Sequence, residues 1–128
     1  MTGLSEKQLA SLRKKLDRRE AELSAELATI NSEAMEESAR LPPMEAGDTV
    51  DQAEARTHEA VRDGEARRDA LELRRIADAR GRMRNGSYGR CIECGMQIPR
   101  ERLEVQPSSE RCVPCQQIYE AHHPYLNA

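Results

Sequence analysis

Between residues 5 and 39 the chain carries Leu9, Leu16, Leu23 and Ile30 at intervals of seven, with Leu12 filling the next seam position. The stretch is rich in Glu, Ala, Leu and Arg, and neither Gly nor Pro interrupts it. This pattern predicts one long helix with a narrow apolar stripe, spanning roughly 50 Å at about 1.5 Å per residue. Arg19 and Glu26 occupy matching seam sites, so aliphatic stems of charged residues complete the stripe. Leu41-Pro42-Pro43-Met44-Glu45-Ala46-Gly47 then forbids continuation. A second helix is expected from about residue 49 to 84, with Ala66, Leu73, Ile76 and Met83 on its apolar face, Gly64 and Gly81 as weak points, and Asn85-Gly86 as its stop. A short breaker between two long helices closes only if they run antiparallel, which predicts a helical hairpin.

Beyond the hairpin the periodicity is lost. Ile98, Leu103 and Val105 offer apolar positions for a short β-hairpin, and a last helix is expected over residues 113–122, ahead of Pro124. The chain therefore reads as mainly α, with residues 1–85 an antiparallel coiled-coil hairpin whose tip lies near 41–53. Residues 86–128 form a small module with a C-terminal helix.

Composition explains why that module needs help. The 128 residues are 38% apolar and 34% charged, with no Phe or Trp and only Tyr88, Tyr119 and Tyr125 as aromatics. A core so poor in large side chains struggles to offset chain entropy. All four cysteines lie in the module, spaced Cys91-x2-Cys94-x17-Cys112-x2-Cys115. Each Cys-x2-Cys turn can aim two sulfurs at one ion, so the quartet reads as a tetrahedral Zn²⁺ site. Gly95 supplies backbone freedom to the first knuckle and Pro114 stiffens the second. Two other readings stand beside zinc. Disulfides would suit a secreted chain, though no continuous apolar segment at the N-terminus resembles a signal peptide. A thioredoxin-like redox motif would need a βαβ setting, which the pattern lacks. His58, His122 and His123 read as surface residues, since four sulfurs satisfy zinc.

Charge narrows the function classes. The formal net charge is −3, and Zn²⁺ with four thiolates adds −2, giving −5. That balance opposes sequence-independent binding to nucleic-acid phosphates. Residues 81–111 hold six Arg against four Glu, which the zinc–thiolate charge offsets, so no basic patch is established. No apolar run is long enough for a membrane span. The most lopsided stretch is 41–60, where Glu45, Asp48, Asp51, Glu54 and Glu59 face only Arg56. Asp48 as an N-cap and Asp51 in the first turn of the second helix would account for two of these acids structurally. Capping does not explain their place at the apex of a hairpin. A narrow hairpin ending in carboxylates can enter a channel in a partner and present charge there. No nucleophile and base stand in a recognisable relation, so an enzyme is not expected.

These features together resemble the DksA/TraR family of bacterial transcription factors. The resemblance rests on Asp48-x2-Asp51-x-Ala53 at the tip, on Tyr88-Gly89-x-Cys91 opening the four-cysteine module, and on the 36 residues between Asp51 and Tyr88. It implies a cytoplasmic, monomeric regulator that binds RNA polymerase rather than promoter DNA. The hairpin would enter the secondary channel, with Asp48, Asp51 and Ala53 as the functional tip and Cys91, Cys94, Cys112 and Cys115 as zinc ligands. Family members often act with the alarmone ppGpp. Of the basic positions associated with it, two fall on Arg68 and Arg75, while two fall on Gln106 and Gln116, so weaker ppGpp dependence is expected. The chain also begins almost at the first long helix, and longer members carry a further N-terminal segment. Polymerase affinity or oligomer behaviour is expected to differ accordingly. The alternatives are a zinc-ribbon module binding nucleic acid directly, which would want a basic face with stacking aromatics, and a transcript-cleavage factor using the tip carboxylates to hold a metal.

Overall fold

The structure, a computed structural model, describes residues 3–40 and 49–124. Four helices follow one another: α1 (Glu6–Arg40), α2 (Thr49–Asn85), α3 (Arg100–Val105) and α4 (Val113–His122). The first two, of 35 and 37 residues, are the long arms of the hairpin. No helix among the described residues is long and apolar enough to cross a membrane.

Local chemistry fixes where the long helices begin and end. Ser5 and Gln8 form a capping box, in which the Gln8 amide donates to Ser5 Oγ at 3.1 Å and the Ser5 amide donates to Gln8 Oε1 at 2.8 Å. Two orphan N–H groups at the start of α1 are thereby satisfied. At the far end of α2 the Ser87 amide donates to the Arg82 carbonyl at 2.9 Å, a Schellman closure. It requires a left-handed residue, which Gly86 supplies at φ 81°.

The chain divides into two compact units, one made of residues up to Arg19 together with those from Arg74 onward, the other of Glu20–Leu73. In the first unit Leu12 and Leu16 of α1 and Ile76 and Ala79 of α2 are buried. Asp17 accepts a hydrogen bond from Arg80 at 2.6 Å, and Lys15 Nζ donates to the Glu104 carbonyl at 3.2 Å, which ties α1 to α3. In the second unit Leu23 is fully buried and Glu37 pairs with Arg62 across the two helices. Met35 and Val61 of this unit remain exposed. The heptad reading is thus realised at Leu16 and Leu23, while Leu9 and Ile30 stay half-buried. Ala79, whose small side chain gave no apolar signal, is fully buried on α2.

The β-hairpin expected over Ile98, Leu103 and Val105 is not formed. The only pairing among the described residues is an isolated antiparallel bridge between Arg90 and Gln97. Leu103 and Val105 instead lie on α3, which starts after Pro99, a residue that cannot donate to a ladder but suits the approach to a helix. Leu103 is buried, whereas Val105 is 88% exposed and belongs to no core.

Tyr88 anchors the module. It is buried, and its hydroxyl donates to the Pro107 carbonyl at 2.7 Å. Burial, opposed only by nearby Arg82, pushes the phenol up to about 12. The folded state therefore favours the protonated phenol. Its contribution is present below the ordinary tyrosine value near 10 and is lost as pH rises from there through about 12. Tyr88→Phe is expected to lower stability at neutral pH by about 1–2 kcal/mol, because the Pro107 carbonyl loses its donor. The same variant is expected to show a smaller loss of stability between pH 10 and 12 than the parent, measured by denaturant titration across that range.

Candidate metal centre

The first knuckle is a turn in which the Gly95 amide donates to the Cys91 carbonyl at 3.0 Å and the Cys91 amide to the Met96 carbonyl at 2.8 Å. Gly95 sits at φ 75°, the left-handed conformation such a turn demands. The second knuckle is the start of a helix: Cys112 is the N-cap of α4, Pro114 lies in its first turn, and the Gln116 amide donates to the Cys112 carbonyl at 2.9 Å. The knuckles are stitched together where the Ile92 amide donates to the Glu110 carbonyl at 2.9 Å.

These turns bring the Sγ atoms of Cys91, Cys94, Cys112 and Cys115 within 4.8 Å of one another. Sulfurs on a tetrahedral zinc ion, at about 2.3 Å from the metal, stand about 3.8 Å apart. Cys94 Sγ and Cys112 Sγ are separated by 3.7 Å. No disulfide joins any of the four cysteines, and a sulfur–sulfur bond would need about 2.05 Å. The thiols also conflict electrostatically. Burial opposes ionisation of Cys91, but backbone amides of Cys94, Cys112 and Glu93 outweigh it and bring that thiol down to about 6. At Cys115 the adjacent Cys112 sulfur, then burial and the Cys91 and Cys94 sulfurs, push the thiol up to about 12. Four converging sulfurs cannot all ionise beside one another unless a cation sits among them, and that is the chemistry of a structural Zn(Cys)₄ site.

The prokaryotic dksA/traR C4-type zinc finger matches residues 86–121, a span that contains all four ligands. RNA polymerase-binding transcription factor DksA of Escherichia coli (strain K12) is 25% identical over 117 residues, covering 91% of this chain and 74% of that protein. The structure of transcription factor DksA2 from Pseudomonas aeruginosa superposes with a TM-score of 0.68 at 26% identity, over 94% of this chain and 88% of that one. The chain is similar to DksA proteins along nearly its whole length, and its zinc module matches the dksA/traR zinc finger. An uncharacterized protein of Haemophilus influenzae is 53% identical over 30 residues, 23% of this chain and 40% of its own. The zinc module binds one Zn²⁺.

The remaining positions that the resemblance marks are distributed unevenly. Asp48 lies outside the described residues. Asp51 falls in the first turn of α2, with its side chain outside them, and Ala53 is exposed on the next turn. Arg75, Gln106 and Gln116, far apart in sequence, converge on one groove of about 360 Å³. Arg102, Ser109, Glu110, Tyr119 and Glu120 are among the other polar residues that line it. Arg68 is exposed in the Glu20–Leu73 unit and is not part of this lining. Ser109 is buried and its hydroxyl has no hydrogen-bond partner. Nothing in the spacing pointed to Ser109, Arg102 or Tyr119, because their convergence depends on α3 folding as a helix.

Proposed function

We propose that this protein binds RNA polymerase through the secondary channel and modulates transcription initiation with its acidic hairpin tip. The observation that carries this reading is a resemblance to an RNA polymerase-binding factor that runs along 91% of the chain rather than through the zinc finger alone. The helical hairpin supports it, since a zinc module acting on nucleic acid by itself would have no use for two arms of 35 and 37 residues. The acidic balance supports a protein partner over phosphate backbones.

Alarmone response in this reading is weak. The groove holding Arg75 presents neutral Gln106 and Gln116 at two positions that are basic in ppGpp-responsive members, and it also contains Glu110 and Glu120. Phosphate recognition rests on charge-assisted hydrogen bonds. Losing two of them, at roughly 1.5–3 kcal/mol each, predicts an affinity for ppGpp at least about a hundredfold below that of a member with all four cations. The experiment is co-sedimentation of the zinc-loaded chain with polymerase, followed by initiation assays on ribosomal and amino-acid promoters with ppGpp titrated in. Binding to polymerase, an altered initiation rate and a shallow ppGpp response are expected. A mobility shift on promoter DNA without polymerase, and no co-sedimentation, would reject the reading.

A further inference from the structure

Arg111 is the one buried arginine of the zinc module among the described residues, and it lies immediately before the ligand Cys112. Its side chain is only 8% exposed and makes two ion pairs. Nε donates to Glu93, which lies between the two ligands of the first knuckle, at 3.3 Å. Nη1 donates to Glu110 at 2.8 Å. The guanidinium plane rests on the ring of Tyr119, 3.8 Å from its centroid, one helical turn beyond Cys115 on α4. His123 stacks on Tyr119 as well, at 4.2 Å between centroids. The Arg111 carbonyl in turn accepts from Arg102 Nε at 3.1 Å.

One side chain thus reaches the loop of the first knuckle, the segment leading into the second, and the helix that the second begins. α4 needs such a contact, because none of its ten residues is fully buried and Ile118 is 61% exposed. Apolar packing alone does not hold the two Cys-x2-Cys turns at the separation zinc requires. Residues that orient metal ligands without touching the metal commonly change metal affinity by about 10–100-fold when replaced. An arginine suits this place: it stays charged, bridges two carboxylates and stacks on a ring at once, which a lysine cannot do.

We infer that Arg111 is a positioning residue for zinc, a clamp that holds the two knuckles and α4 in the ligand geometry through Glu93, Glu110 and Tyr119. The inference concerns the metal centre and stands apart from any partner of the hairpin. The test is zinc release from the loaded full-length chain into excess chelator, followed with a colorimetric zinc indicator, alongside the melting temperature of each variant. Arg111→Met keeps the aliphatic stem and is expected to release zinc at least about tenfold faster than the parent. Arg111→Lys should fall between the two. Glu93→Gln should accelerate release several-fold in the parent and hardly at all in the Arg111→Met background, because the pair acts as a unit. Leu103→Ala serves as the control, since it empties the same module's core without touching the clamp. A structural role alone would put Arg111→Met on the same relation between melting temperature and release as Leu103→Ala. If Arg111→Met releases zinc no faster than that control, or within twofold of the parent, the inference fails. Should Arg111→Met not fold, Tyr119→Leu removes the surface on which the guanidinium rests and carries the same expectation and the same grounds for rejection, while Tyr119→Phe should behave as the parent.

Discussion

Removing zinc, by chelation or by Cys115→Ser, is expected to unfold residues 86–121 while leaving most of α1 and α2 helical. Among the described residues the module buries only Tyr88, Cys91, Ile98 and Leu103 as apolar side chains. Each fully buried large side chain contributes roughly 1.5–3 kcal/mol, too little to order two knuckles and two short helices. A structural zinc site contributes about 10 kcal/mol or more at neutral pH. Without the ion, the thiols must reprotonate and part, α4 loses its anchor at Cys112 and Cys115, and the Arg111–Tyr119 stack goes with it. Segment-resolved hydrogen exchange is the direct measurement. Protection should vanish from α3, α4 and the first knuckle while persisting around Leu23. Protection of the knuckles in the metal-free chain equal to that in the loaded one would show that packing, not the ion, holds the module.

The second large effect is expected at the hairpin tip. Replacing both Asp48 and Asp51 by asparagine should leave polymerase binding within about threefold of the parent and remove the effect on initiation, read as multi-round transcripts from responsive promoters. The substitution separates charge from structure. Asparagine caps a helix about as well as aspartate, and a carboxylate in the first turn of α2 adds only about 0.3–1 kcal/mol through the helix dipole. The melting temperature should therefore hardly move. A pair variant that loses binding but keeps full activity per bound molecule would mean that the tip serves attachment rather than regulation.

Much of this arrangement could be read from the chain before any coordinates. The long arms follow from runs of helix formers, broken only by Gly64 and Gly81 in the second, and their ends from Pro42-Pro43 and Asn85-Gly86. The metal centre follows from two Cys-x2-Cys pairs, because ligand geometry needs only local turns and one return of the chain. The reading failed where physics is non-local or where side chains are quiet. Leu103 and Val105 look alike in a list of apolar residues, but the helical turn after Pro99 points one inward and the other to water. Ala79 is fully buried, yet its small side chain leaves no mark in a hydrophobic pattern. Arg111 passed as one of six arginines balancing acids in its region. Its three partners lie 1, 8 and 18 positions away along the chain, and only the folded knuckles bring them to one guanidinium. The convergence of Arg75, Gln106 and Gln116 was likewise hidden, although each position had been singled out by resemblance.

The burial of Tyr88 and the stacking of Tyr119 under Arg111 have a practical corollary. The chain has no tryptophan, and its three tyrosines all fall at or beyond position 88. Its near-ultraviolet aromatic absorbance and its emission therefore originate wholly in the C-terminal third, and the helical arms are silent in that range. Metal capture or loss can therefore be followed in the unlabelled, unbound protein by light alone, with no background from the hairpin.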